Sequence, residues 1–221
     1  MMKTILCARK ELGAKWWSKT FWSKPHMRLF VVFTSYLKKH RFKTIAFCIL
    51  GLLYAFCLPK VLFPTPTSTI VESKEGELLG ALIAADGQWR IPTLDSIPPK
   101  FEQCILQFED EYFYRHPGFN PISMFNAFKS NLKAKRIVRG GSTITQQVIR
   151  LSRKGKKRSY FEKLIELILA TRLEIRDSKA EILRTYVSQA PFGGNVVGLE
   201  AAAWRYFNVA PTKLSWGQSA L

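Results

Sequence analysis

Two short runs in this chain hold residue types capable of chemistry. The first is Glu109-Asp110-Glu111-Tyr112-Phe113-Tyr114-Arg115-His116-Pro117-Gly118, with adjacent carboxylates set among aromatics and ahead of a histidine. The second is Gly140-Gly141-Ser142-Thr143-Ile144-Thr145-Gln146-Gln147, a glycine turn opening onto a hydroxyl- and amide-rich helix start. A carboxylate among apolar neighbours is a candidate general base. A helix start approached through glycine is a candidate anion site, because its first N–H groups have no partner inside the helix. A base facing an anion-binding backbone is what moving a sugar off a pyrophosphate would need.

Each run also has a plainer reading. Glu109, Asp110 and Glu111 could be a solvated acidic helix end. His116-Pro117-Gly118 argues instead for a tight turn that fixes this end in place. Thr143 and Gln146 fit a capping box, which ordinary helices also use. The added feature is Gly140-Gly141 with Arg136 and Arg139 before it and Arg150 after. No Lys-Ser/Thr pair follows the glycines, so the nucleotide-binding loop pattern is absent. A third constellation is Arg158-Ser159-Tyr160-Phe161-Glu162-Lys163-Leu164-Ile165-Glu166. Lys163 and Glu166, three residues apart, could be a solvated ion pair of small worth. Leu164, Ile165, Leu167, Ile168 and Leu169 leave Glu166 little solvated face, so a partly buried acid beside a cation is expected.

The elements that must position these groups read as mainly helical. Apolar spacings of three and four predict helices over residues 101–114, 122–135, 143–151, 159–175, 179–188 and 199–207, with a last one beginning at 214. Residues 64–98 read as a linker and a small β element, with a hairpin turn expected at Asp86-Gly87. Residues 99–221 form the expected helical domain.

The formal charge is +18 over 221 residues. The first 43 residues carry eleven Lys and Arg against Glu11 alone. An apolar run comes next, and residues 44–63 are expected to be a transmembrane signal anchor, with Lys43 and Lys60 snorkelling at its ends. No small-residue cleavage site succeeds it. The basic tail would stay cytoplasmic and the remainder would lie outside the membrane. Tail lysines interleaved with Trp16, Trp17 and Trp22 point to anionic headgroups rather than nucleic acid. Cys7, Cys48 and Cys57 fall in the tail and span, leaving Cys104 alone, so neither an intrachain disulfide nor a Cys/His zinc site is expected in the outer domain.

With these pieces together the chain resembles the peptidoglycan glycosyltransferases (glycosyltransferase family 51), the transglycosylase halves of class A penicillin-binding proteins. The E-D-x-x-F-x-x-H-x-G run matches at Glu109, Asp110, Phe113, His116 and Gly118, and G-G-S-T-I-T-Q-Q matches in full. The third motif matches at Lys163 and Glu166. The fourth, K-x-x-I-L-x-x-Y, matches at Lys179, Ile182, Leu183 and Tyr186. Ala190-Pro191-Phe192-Gly193-Gly194 looks most like members of the 1C type.

The resemblance implies a lysozyme-like domain on the outer face of a cell inner membrane, facing the periplasm. Its substrates would be lipid II and the growing glycan strand, with other cell wall synthesis proteins as partners. It implies Glu109 as catalytic base and Glu166 as a second catalytic carboxylate that orients the donor side or a divalent cation. Asp110, Phe113, His116, Ser142, Thr143, Thr145, Gln146, Gln147, Arg158 and Lys163 would form the substrate site. A divalent cation, Mg or Mn, could sit by Glu166, with its other ligands unassigned.

The chain departs from the family pattern at Glu162, where a basic residue is usual, at Ser188 in place of Asn, and at Asn208-Val209. It also ends at Leu221, inside a helix that the family continues. The expectation is therefore a C-terminally truncated glycosyltransferase. The alternative is a catalytically poor, membrane-anchored protein that binds lipid II or acts as a scaffold.

Overall fold

A computed structural model describes residues 39–91, 96–136, 138, 140–154, 156 and 159–221. Most of the expected basic tail lies outside the described residues, as do Arg139 and Arg158 of the expected site. The chain divides into two compact units, Met1–Ala55 and Phe56–Leu221.

Helix α1 (Arg41–Phe56) holds most of the apolar run, and none of its residues is buried. Its 16 residues make roughly 24 Å at about 1.5 Å per residue. Among the described residues no helix is long and apolar enough to cross a membrane. The segment expected to span as far as Phe63 is divided, because Leu58, Leu62 and Phe63 pack against the core of the second unit. Pro59 ends the helix, and its carbonyl accepts from Arg176 Nη1 at 2.7 Å.

The second unit opens with a two-stranded antiparallel hairpin, β1 (Thr69–Glu72) and β2 (Leu78–Leu82), with Ile70 opposite Ala81. The hairpin closes at residues 73–77, not at Asp86-Gly87 as expected. Ser73 Oγ accepts from the amides of both Glu75 and Glu77, which stabilises the earlier turn. Asp86-Gly87 does turn the chain, since Gly87 N donates to Ala84 O and Gln88 N to Asp86 Oδ1. Beyond this second turn the chain leaves the hairpin. Trp89 pairs in parallel with Val196, and Ile91 joins Val196, Ala201 and Ala202 in a small apolar cluster.

The rest is helical: α2 (Pro99–Glu109), a 3-10 turn (Phe113–Arg115), α3 (Pro121–Ala134), α4 (Ile144–Ser152), α5 (Tyr160–Arg176) and α6 (Lys179–Gln189). α7 (Leu199–Ala202) runs into a π turn (Ala203–Phe207), and α8 (Trp216–Ala220) packs on α2. Side chains of Asn120, Thr143, Ser159, Ser178 and Ser215 cap the starts of α3, α4, α5, α6 and α8. Each satisfies an otherwise orphaned amide.

α4 is the centre of the core. Ile144, Val148 and Ile149 are fully buried against Leu169 and Leu173 of α5 and Ile182, Leu183 and Tyr186 of α6. The helix expected over 101–114 stops at Glu109. Asp110 takes an extended conformation (φ −161°), which turns its carboxylate inward. Phe108 and Tyr112, in phase with the earlier apolar positions, are exposed.

Candidate active site

Asp110 is where the site is assembled. Its side chain is 5% exposed and meets both α4 and the loop at His116. Oδ2 accepts from the Ile144 amide at 3.0 Å, and both oxygens lie 3.0 Å from His116 Nε2. An ionised carboxylate only accepts, so with Asp110 in that form Nε2 is the donor. The start of α4 therefore already has its own anion. Ile144 N is held by Asp110, and Gln146 N by Thr143 Oγ1 at 3.2 Å. Two of the first amides of α4 are thus engaged within the fold.

The expected capping box is only half made. Thr143 caps α4, but Gln146 does not return its side chain to Thr143. It turns to Lys163 instead, which donates to Gln146 Oε1 at 2.6 Å. Lys163 Nζ also donates to Ser142 Oγ at 2.7 Å and Glu166 Oε2 at 3.3 Å. Glu166 is buried, as its apolar neighbours implied. Gln146 Nε2 is buried with no protein partner among the described residues. A lysine ammonium, a half-buried hydroxyl and an unpaired amide N–H thus converge beside α4, and these groups suit an anion.

Glu109 stands on the other side of α4's first turn. It is half-buried at the end of α2 and accepts from Gln147 Nε2 at 2.6 Å. Tyr186 of α6 lies close by, with its hydroxyl 3.4 Å from Gln147 Oε1. Burial, and then the Glu109 charge, push the Tyr186 hydroxyl up to about 12, so it is a neutral donor here. Phe108 and Tyr112 beside Glu109 in sequence are exposed, and the groups that meet its carboxylate come from α4 and α6.

The glycines divide in role. Gly141 is pressed on α3, where a Cβ would come within 2.9 Å of Met124 Cα, whereas Gly140 has open space. Gly118 has φ +88°, and a Cβ there would meet Ala170 O at 2.9 Å.

Of the residues singled out from the sequence, Glu109, Ser142, Gln146, Gln147, Lys163 and Glu166 come together around α4. Asp110, Phe113, His116, Thr143 and Thr145 are buried and engaged within the fold. Thr143 Oγ1 donates to Gly118 O at 2.7 Å, and Phe113 packs on the His116 ring. Sequence reasoning missed Glu174. Its Oε1 accepts from Thr145 Oγ1 at 2.5 Å and from Lys179 Nζ at 2.7 Å. Lys179 also donates to His116 O at 2.7 Å and lies 4.4 Å over the Phe113 ring. The only signal for Glu174 was an acid in the apolar run of α5.

Glu109 and Lys163 thus both bond to the first turn of α4, through Gln147 and Gln146. The family profile described as Transglycosylase matches residues 75–221, and the chain belongs to that family, of the kind found in class A penicillin-binding proteins. It is 37% identical over 164 residues to penicillin-binding protein 1C of Escherichia coli, covering 74% of this chain and 21% of that protein. It is 37% identical over 126 residues to a biosynthetic peptidoglycan transglycosylase of Cupriavidus metallidurans, covering 57% of this chain and 54% of that protein. A Haemophilus influenzae protein of the same description is 29% identical over 184 residues, covering 83% and 75%. The chain thus spans about a fifth of the length of the penicillin-binding protein 1C it matches.

Proposed function

We propose that this domain polymerises lipid II into β-1,4 glycan strands with release of the undecaprenyl pyrophosphate carrier, with Glu109 as general base. The observation that carries this reading is the placement of Glu109 and Lys163 on either side of α4's first turn, each bonded to one of the adjacent residues Gln147 and Gln146. Gln147 meets Glu109 through an N–H, which suits the ionised, proton-accepting carboxylate. Glu109 would take the proton from the acceptor's 4-hydroxyl as that oxygen attacks the anomeric carbon with inversion. The carbon–oxygen bond to the pyrophosphate breaks at the same time. Lys163, Ser142 and Gln146 would carry the departing charge, as preorganised donors do best in a partly dry site. Arg158, which adjoins this region in sequence, would add a further cation. Glu166 would orient Lys163 and the donor.

A divalent cation fits this donor set poorly. Glu166 has an ammonium beside it, and among the described residues no group of three or more His, Cys, Asp or Glu could hold a metal ion. No step is assigned to one.

The membrane side of this reading rests on two features. One is α1, whose apolar surface is wholly unburied and lies behind a basic tail. The other is the outer face of α3, where Ile122, Phe125, Phe128 and Leu132 are exposed beside Lys129 and Lys133. The stretch 112–161 holds twelve Lys and Arg and no Asp or Glu. Apolar side chains rimmed by lysines suit an anionic bilayer surface. On this reading the chain is held at the outer face of the inner membrane, where lipid II and other wall-building proteins would reach it.

One observation favours a second reading, a domain that binds lipid II but turns over poorly. Glu162 stands beside Lys163 and pairs with Arg153 at 3.0 Å, which neutralises a cation near the end of α4. Lipid II binding and polymerisation measured on the same preparation separate the two. Polymer formation that falls with Lys163→Met, together with weaker binding, supports the transferase. Binding without polymer supports the second reading.

A further inference from the structure

Glu174 and Lys179 stand outside the transfer reaction, yet they join the first turn of α4 to the loop that follows Glu109. Glu174 lies near the end of α5 and Lys179 at the start of α6, with side chains 9% and 21% exposed. Glu174 Oε1 accepts the hydroxyl proton of Thr145, in the first turn of α4, at 2.5 Å. Lys179 Nζ reaches the loop after Glu109 twice, through His116 O at 2.7 Å and across the Phe113 ring at 4.4 Å. The two charges meet at 2.7 Å. Gly118 makes room for this contact, because a Cβ there would lie 3.0 Å from Glu174 Cγ.

From these partners the contacts continue to the reacting groups. His116 Nε2 donates to Asp110, the residue after Glu109, and Asp110 accepts from Ile144 N. Thr145 is succeeded by Gln146 and Gln147, which hold Lys163 and Glu109. A buried ion pair is seldom needed for stability alone, since two matched apolar side chains often serve as well. Here the pair has three further partners drawn from two segments of the site, α4 through Thr145 and the loop after Glu109 through His116 and Phe113.

We propose that Glu174 and Lys179 are positioning residues that set the placement of the base Glu109 relative to the anion site at Lys163. The catalytic part of this inference rests on Glu109 being the general base. The pair touches no reacting atom and acts through Thr145, His116 and Asp110.

The test uses the full chain with Glu174→Gln, Lys179→Met and the double variant. Glu174→Gln keeps an oxygen for Thr145 and leaves the Lys179 charge uncompensated. The double variant removes both charges together, so its melting temperature returns towards the parent's if charge compensation governs stability. The expected result is that the double variant regains its melting temperature while its His116 imidazole 15N signals stay displaced from the parent's. Its kcat for lipid II polymerisation stays reduced, about 10–100-fold, with KM within about twofold, as a small misplacement of reacting groups predicts. Parent-like His116 signals and kcat in the double variant would overturn the proposal and leave the pair a structural one. If the parent makes no polymer, the transferase reading fails, and the His116 signals still decide whether the pair positions this loop. Should the double variant not fold, Lys179→Arg, which keeps the charge but changes its geometry, decides on the same signals.

Discussion

The support around α4 and the outer face of α3 break the ordinary inside–outside rule in opposite directions. Around α4, Asp110, His116, Thr143, Thr145, Gln146 and Glu166 are buried. On α3, Ile122, Phe125, Phe128 and Leu132 are each more than half exposed. Polar burial is tolerated only when it is bonded, and nearly every group in the first set is. Large apolar exposure is tolerated when something other than water meets it. The first region is built to hold geometry and the second to meet a surface, although both come from one continuous helical domain.

The sharpest contrast between the two regions is in stability. Asp110→Ala leaves His116 Nε2–H and Ile144 N–H without an acceptor, and unfolding in denaturant is expected to fall by about 3–5 kcal/mol. Phe125→Ser with Phe128→Ser should leave the same measurement within about 0.5 kcal/mol. A large loss from the α3 pair would mean that its outer face belongs to the core.

The glycines sharpen the comparison at the seam. Gly141→Ala drives a Cβ against Met124 Cα on α3 and is expected to lower stability by about 1–3 kcal/mol, whereas Gly140→Ala meets nothing and should be silent. Thermal melts of the two variants check this. Equal effects would place α3 elsewhere.

A pH effect is expected outside both regions. Burial raises Glu200 to about 7, with a bond from Trp204 opposing and the charge of Glu72 adding. An acid whose folded value is raised takes up a proton on folding, so stability falls as pH rises from about 4.5 to about 7 and then levels off. Glu200→Gln should flatten that slope, as followed by melting temperature across pH. An unchanged slope would assign it to another group.

The smallest effect concerns the α3 face itself. A polarity-sensitive dye at Phe128→Cys, with Cys7, Cys48, Cys57 and Cys104 replaced by Ser, should shift to the blue with phosphatidylglycerol vesicles and less with neutral ones. No shift with either would show that the exposed stripe does not meet a bilayer.

How far the sequence could be read depends on the range of the interactions. Helices with local signals, such as the caps at Thr143, Ser159 and Ser178, lie close to where their spacing put them. The pairing of Lys163 with Glu166 is three residues apart and was visible for that reason. Asp110 was legible as a chemical residue but not as the acceptor for Ile144, 34 residues away. That distant bond is what ends α2 early, although the apolar spacing runs on to Tyr112. Glu174 and Lys179 join segments 29 and 63 residues distant, beyond any local pattern. The hairpin turn was misplaced because two good turn signals competed. Contacts of Trp89 and Ile91 with the 196–202 region decided between them.

On the proposed reading Glu109 is the base of a working transferase. Polymerisation of labelled lipid II by the detergent-solubilised chain, beside Glu109→Gln, tests it most directly. Glycan polymer is expected from the parent, with a loss of about 10²–10⁴-fold in the variant and an unchanged melting temperature. Equal polymer from both would contradict the assignment of the base, and none from the parent would contradict the activity.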